Sequence, residues 1–177
     1  DLHAGELYPA GNFYATAEEY LALAKSDPLN AIRYQLNAAD TLIKGQKIDQ
    51  AKQIIDLLPQ EKLSDAQKIL KNTYSAQILL AKDDPEAAYA LTNINLPSDA
   101  PRPVLAKYHE TRATVLHEKT EYFAAAKERI FLNSYLDDAH MIYENYHSLW
   151  KSLSHLSPDE LDAYRSDDTG ILTSWLE

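Results

Sequence analysis

A small residue that returns at a fixed interval constrains this chain more than any other feature. Ala39 comes back as Ala76 and Ala113, and Ala51 comes back as Ala88 and Ala125, each step being 37 residues. Leu42 returns in the same way as Leu79 and Leu116, and Leu57 as Ile94 and Phe131. Matched columns at one period mean stacked copies of a single supersecondary unit, because a unit this short cannot bury its apolar face alone. The first copy, Ile32 to Leu58, reads as a helix, a turn at Gly45 and a second helix. Ile32, Leu36, Ala39 and Ile43 fall at alternating four- and three-residue steps, a stripe along one helix face. Ala39 and Ala51 are twelve positions apart, on opposite arms of the hairpin. Alanine at such a pair lets two helix axes approach, where a bulkier side chain would hold them apart.

The tetratricopeptide hairpin carries small residues at this spacing, and each copy resembles one. The copies depart from it in period, 37 residues here against about 34. Most of the Trp, Tyr and Pro positions of that signature are also missing, and the extra length falls in the linkers around 59–63 and 95–103. The sequence therefore predicts an all-α fold, a tetratricopeptide-like helical-hairpin solenoid of about nine helices. Its copies span about 28–58, 65–95 and 102–132, inside a helical domain of residues 16–168. An irregular lead-in is expected at 1–15 and a junction to a further domain at 169–177.

Local signals mark the helix ends. Thr16 with Glu19, Ser64 with Gln67 and Ser157 with Glu160 have capping-box spacing. Asp27-Pro28 and Asp84-Pro85 read as helix starts, with Asp as cap and Pro at the first helical position. Gly45 and Pro59 read as stops, and Thr120 as the cap of a helix over 121–136. All eight prolines lie at element boundaries or in the lead-in, so none interrupts a periodic run.

Charge and composition exclude several function classes. The net charge is −10, with acidic pairs at Asp83-Asp84, Asp137-Asp138 and Asp167-Asp168. A nucleic-acid binder needs a basic face to displace condensed counterions, so no nucleic-acid partner is expected. Direct contact with an anionic membrane surface is disfavoured for the same reason. There is no cysteine, which removes disulfides, thiol nucleophiles and Cys-type zinc sites. No apolar run approaches the ~20 residues of a membrane span. The chain opens on Asp1, so it is expected to be a fragment or a mature product, with any leader or lipid attachment site upstream.

Motifs that carry chemistry are missing or incomplete. His109-Glu110-Thr111-Arg112-Ala113 and His117-Glu118-Lys119-Thr120-Glu121 begin like a zinc-protease helix, but each lacks the second histidine one turn on. His140 and His147 lie two turns apart on one helix, too few ligands for a metal. The carboxylates are spread over helix surfaces, and no phosphate-binding glycine loop or nucleophile elbow occurs. No catalytic, cofactor-binding or metal-binding residue is assigned, no cofactor is implied, and the chain is read as a non-enzyme. The excess is in tyrosine, 12 in all. Tyr108, Tyr143, Tyr146 and Trp150 fall together in the third copy and the helix after it. They read first as core packing with the hydroxyls at the surface, and second as the wall of a peptide or glycan groove. In a tetratricopeptide-like stack the first helices line the concave face, which by register shows Arg33, Asp40, Gln77, Lys107, Thr114 and His117. With Tyr108 and Tyr146 these form the candidate groove. Its charge is mixed and it has no basic clamp for a peptide carboxylate.

The last third of the chain carries a family resemblance. Ala126-Lys127-Glu128-Arg129-Ile130, then Tyr146-His147-Ser148-Leu149-Trp150, then Thr169-Gly170 leading to Ser174-Trp175-Leu176, resembles the N-terminal domain of the LpoA (YraM-type) lipoproteins. The likeness extends more loosely over most of the chain. Ser174 stands where that family has glycine before the tryptophan. The resemblance implies an outer-membrane lipoprotein of Gram-negative bacteria, facing the periplasm, that activates a class A penicillin-binding protein and so promotes peptidoglycan synthesis. It implies a lipid-bearing cysteine upstream of Asp1 as the only membrane attachment. It also implies a periplasmic-binding-protein-like C-terminal domain that makes the contact with the synthase. Ile171, Leu172, Trp175 and Leu176 then form the expected contact with that domain, since exposed apolar patches mark interfaces. A generic tetratricopeptide-like peptide-binding adaptor is the competing reading. An all-α hydrolase has no motif behind it.

Overall fold

A computed structural model describes residues 12–167. The chain divides after Asp84 into two compact units. Among the described residues there are nine α-helices and no strand.

The first unit contains α1 (Phe13–Ser26), α2 (Ala31–Lys44), α3 (Ile48–Asp56), a short 3-10 turn (Gln60–Lys62) and α4 (Asp65–Ala81). α2 is the central element, packed against α1, α3 and α4. The apolar stripe seen in the sequence supplies the core: Leu36, Ala39 and Leu42 from α2 meet Ala51 and Ile55 from α3, Ala17 from α1, and Tyr74 and Ile78 from α4. Ala38, Ala39 and Ala51 are completely buried. Burying a leucine-sized side chain contributes about 1.5–3 kcal/mol, so this stripe stabilises the unit more than any surface pair can.

The second unit contains α5 (Pro85–Thr92), α6 (Arg102–Glu118), α7 (Tyr122–Asn133), α8 (Ala139–Leu153) and α9 (Pro158–Asp167). Neighbours in sequence pack in space, α5 on α6, α6 on α7 and α7 on α8. Ala113 and Ala125 are completely buried here, as Ala39 and Ala51 are in the first unit. Leu149 and Leu153 of α8 close over Ala126, with Phe123, Ile130, Leu156 and Leu161 around them.

The 37-residue period is written into the backbone as well. Among the described residues three non-glycine residues have positive φ: Gln46 (61°), Asp83 (61°) and Thr120 (63°). Each follows the C-cap of a helix, α2, α4 or α6, and each ends it in the same way. Lys47, Asp84 and Glu121 donate their N–H to the carbonyls of Leu42, Leu79 and Leu116, at 2.8, 3.0 and 2.9 Å. Gln46, Asp83 and Thr120 donate to Ile43, Leu80 and His117, at 3.0, 3.0 and 2.9 Å. This double pattern is the Schellman motif, and the leucine column found in the sequence supplies its outer acceptor each time.

Several expected boundaries move. Gly45 is the C-cap of α2 at φ −82°, not the left-handed residue, which is Gln46. What requires glycine at 45 is space: a Cβ there would stand 2.7 Å from Cβ of Phe13. Thr16 does not cap α1, which already starts at Phe13; its hydroxyl bonds back to the Asn12 carbonyl at 3.1 Å. Asp27 ends α1 rather than starting α2, donating its N–H to Leu23 O and accepting from Asn30 Nδ2 at 2.8 Å. α2 therefore begins three residues beyond Pro28, at Ala31. Thr120 is the left-handed turn residue and makes no cap for α7. The boxes at Ser64–Gln67 and Ser157–Glu160 form as read, with reciprocal bonds of 3.0 and 3.3 Å, and of 2.8 and 3.3 Å. Asp138, passed over in the sequence, caps α8 through Met141 N at 2.9 Å.

Candidate functional site

The groove residues expected from register separate between the two units. In the first unit Arg33 is exposed and lies along its neighbour Tyr34, 5.0 Å above the ring. Asp40 pairs with Lys44 one turn on, at 3.0 Å, and Gln77 is half-buried on α4. In the second unit Lys107 and Thr114 are half-buried on α6. Thr114 Oγ1 donates to Glu110 O at 3.0 Å and accepts from Arg129 Nη2 at 3.4 Å. Tyr146 on α8 accepts from Asn133 Nδ2 at 3.0 Å. Thr114 and Tyr146 are thus joined through α7, since Arg129 and Asn133 lie one turn apart on it. His117 Nδ1 lies 2.9 Å from Ser152 Oγ, and burial holds its imidazole below the usual histidine range.

Tyr108 leaves the groove. It is 3% exposed, and its hydroxyl donates to the Thr92 carbonyl at the end of α5. A helix end leaves its last carbonyls without intrahelical partners; Tyr108 and Arg112 Nη1 both satisfy this one. Tyr143 and Trp150 stay exposed on α8. The tyrosine excess therefore divides between core packing, at Tyr74 and Tyr108, and an open helix face. Ile171, Leu172, Trp175 and Leu176 lie outside the described residues.

Sequence reading missed a buried charged cluster. Glu128 of α7 places Oε1 2.6 Å from His109 Nδ1 and Oε2 3.4 Å from Arg112 Nε. The three side chains are 13%, 11% and 19% exposed. His109 stacks on Tyr135 with ring centres 5.2 Å apart and planes 6° from parallel. Arg112 covers the Tyr89 ring at 5.5 Å. The cluster fastens α5, α6 and α7 to one another. A buried acid beside an imidazole orients a catalytic base only where a nucleophile is in reach. Among the described residues no serine or threonine hydroxyl is bonded to His109. A signal for it was present in the sequence. Glu128 and Arg129 follow Ala125 by three and four positions, which on a helix is the same face as a completely buried residue. Among the described residues no group of three or more histidines and carboxylates converges as a metal would need. No described helix is long and apolar enough to cross a membrane.

Comparison with known proteins follows the architecture. Helical folds of the same kind occur in the amino-terminal domain of Escherichia coli LpoA, with TM-score 0.69 and 22% identity, covering 88% of this chain and 71% of that one. The Haemophilus influenzae LpoA N-terminal domain gives TM-score 0.65 and 24% identity over 84% of this chain and 69% of that one. At such identities the likeness establishes the fold alone. In sequence the chain is 28% identical over 144 residues to the penicillin-binding protein activator LpoA of Haemophilus influenzae, covering 81% of this chain and 24% of the relative. It is 26% identical over 172 residues to that of Escherichia coli, covering 96% of this chain and 25% of the relative. The chain thus spans about a quarter of the length of these curated relatives. The model of the family described as "LppC putative lipoprotein" matches residues 11–177. That match runs through both units, and the chain belongs to the LppC putative lipoprotein family.

Proposed function

We propose that this chain is the amino-terminal helical arm of an outer-membrane lipoprotein that activates a class A penicillin-binding protein, and that it works without catalysing a reaction. The observation that carries the reading is the family match over residues 11–177, joined to relatives named as penicillin-binding protein activators. The arm's task in this reading is mechanical. Its tetratricopeptide-like hairpins, with matching Schellman turns and buried alanines, hold a partner domain away from the membrane anchor. The anchor is a lipid on an upstream cysteine. The partner domain is periplasmic-binding-protein-like, seats against Ile171, Leu172, Trp175 and Leu176, and makes the contact with the synthase. The acidic balance, −10 overall, keeps the arm off anionic membrane.

The test uses the full-length protein and a purified class A penicillin-binding protein. Glycan polymerisation and peptide cross-linking are followed with and without the activator, and with an activator lacking this arm. Stimulation by the full-length protein in solution, independent of the arm, is expected. In cells, where the anchor fixes one end, removing the arm abolishes the effect. A full-length protein that leaves synthesis unchanged sinks the proposal.

A further inference from the structure

A cleft of about 340 Å³ opens between α6, α7 and α8 in the second unit. Its apolar lining is Leu132, Leu136 and Met141. Arg129, Asn145 and Ser148 supply polar groups, and Glu110, His140 and Glu144 complete the lining. Volume and mixed lining suit a small ligand held by a few polar groups against an apolar surface.

Arg129 is the reason to expect a ligand. It is half-buried, yet no carboxylate among the described residues lies within ion-pair distance of it. Its hydrogen bonds go to neutral oxygens and are long: Nη1 to Asn145 Oδ1 at 3.5 Å and Nη2 to Thr114 Oγ1 at 3.4 Å. Well-formed bonds of this type run about 2.7–3.2 Å, so several of its N–H donors are left underused. The contrast with Arg112, paired with Glu128 inside the same unit, is direct. Burial pushes the Arg129 guanidinium below its usual range, while Glu110 acts in the opposite sense. Asn145 holds the arginine in place. It is 2% exposed, and its Nδ2 donates to the Arg129 carbonyl at 2.8 Å. A half-buried guanidinium that makes no ion pair keeps unused donors, and a ligand carboxylate meets that need with a bidentate fork.

The two acids in the same lining decide what kind of carboxylate fits. A simple anion would gain Arg129 but face Glu110 and Glu144. We propose that this cleft binds the α-zwitterion of an amino acid, with its carboxylate on Arg129, its ammonium toward Glu110 and Glu144, and an apolar side chain against Leu132, Leu136 and Met141. The proposal stands on the cleft alone and is independent of the activator reading. The zwitterion can belong to a free amino acid or be carried at the end of a larger molecule.

The experiment is a titration of the full chain by calorimetry, with backbone amide shifts recorded in parallel. The probes are leucine, N-acetyl-leucine, leucine amide and lysine acylated at Nε, the last presenting the same zwitterion on a larger body. Saturable binding of leucine or of the acylated lysine, with shifts at Arg129, Asn145 and Ser148, is expected. Preference for one over the other identifies the source. Removing either charge should weaken binding about tenfold or more. Arg129→Lys keeps the charge but loses the fork, and should weaken binding about tenfold. Glu144→Gln, at an exposed position, should weaken leucine while leaving N-acetyl-leucine unchanged, and it keeps the test decisive if substitution at 129 perturbs folding. Absence of saturable binding by both zwitterions overturns the proposal. So does equal binding of N-acetyl-leucine and leucine, or leucine affinity unchanged in a folded Glu144→Gln chain.

Discussion

The recurrence of left-handed backbone at Gln46, Asp83 and Thr120 makes a graded prediction, sharpest at Thr120. A residue with a Cβ in this conformation costs about 1–2 kcal/mol, and a β-branched one lies at the unfavourable end. Glycine removes that cost but gives the unfolded chain more freedom, about 0.5–1 kcal/mol. The Thr120 side chain is exposed and makes no hydrogen bond among the described residues, so little else is lost. Thr120→Gly should therefore stabilise the second unit by about 1 kcal/mol, or about 2–4 °C in Tm for a chain of this length. Asp83→Gly should change stability by roughly nothing, because Asp tolerates this region. Urea unfolding followed by fluorescence is the assay; Trp150, on α8, lies in the unit that contains Thr120 and reports its unfolding. A lower midpoint for Thr120→Gly, at unchanged slope, would refute the assignment of a strained turn there. So would a gain at Asp83 as large as at Thr120.

Other perturbations probe the packing and the buried charges. Ala88→Leu overfills a completely buried position on α5 and should cost about 1–3 kcal/mol in denaturant unfolding; an unchanged midpoint contradicts close helix approach at that column. Glu128→Gln leaves Arg112 and His109 without their acid and should cost about 1.5–3 kcal/mol, measured the same way; Arg112→Met strands the Glu128 carboxylate in its turn and should cost a comparable amount. Tyr74 gives a pH dependence: burial, then the nearby Asp40, push its phenol above the usual tyrosine range. The folded state thus holds the proton that the unfolded chain releases, so stability is intact below about pH 10 and falls as pH rises beyond it; Tyr74→Phe should flatten that decline in thermal melts across pH 8–11.

Much of the fold could be read from residue spacing, and the failures have identifiable causes. The alanine columns fall on completely buried positions, Ala39, Ala51, Ala76, Ala88, Ala113 and Ala125, because a helix contact tolerates only small residues at closest approach. The capping boxes at Ser64 and Ser157 were legible because both partners sit within one turn. Thr16 has the same spacing and forms no box. Its helix had already begun, and a hydroxyl inside a helix bonds to the preceding turn instead. Asp27 was misread for a related reason: one Asp can end a helix or start the next, and only the length of α1 decides which. Tyr108 was placed in the groove as a member of the aromatic cluster in the third copy and the helix after it. Its hydroxyl instead completes the end of α5, a partner sixteen positions away.

By itself the sequence determined the helical class and the 37-residue recurrence of small residues. These follow from local chemistry and from a pattern that each copy must satisfy separately. Tertiary structure alone decided which residue in each turn takes positive φ, which tyrosines are core, and that Glu128 meets His109 and Arg112 while Arg129 meets no acid among the described residues. Glu128 and Arg129 are adjacent in sequence and equal in helical propensity. About 100° of rotation between neighbouring residues of a helix turns one toward α6 and a partner, and the other toward the cleft beside α8.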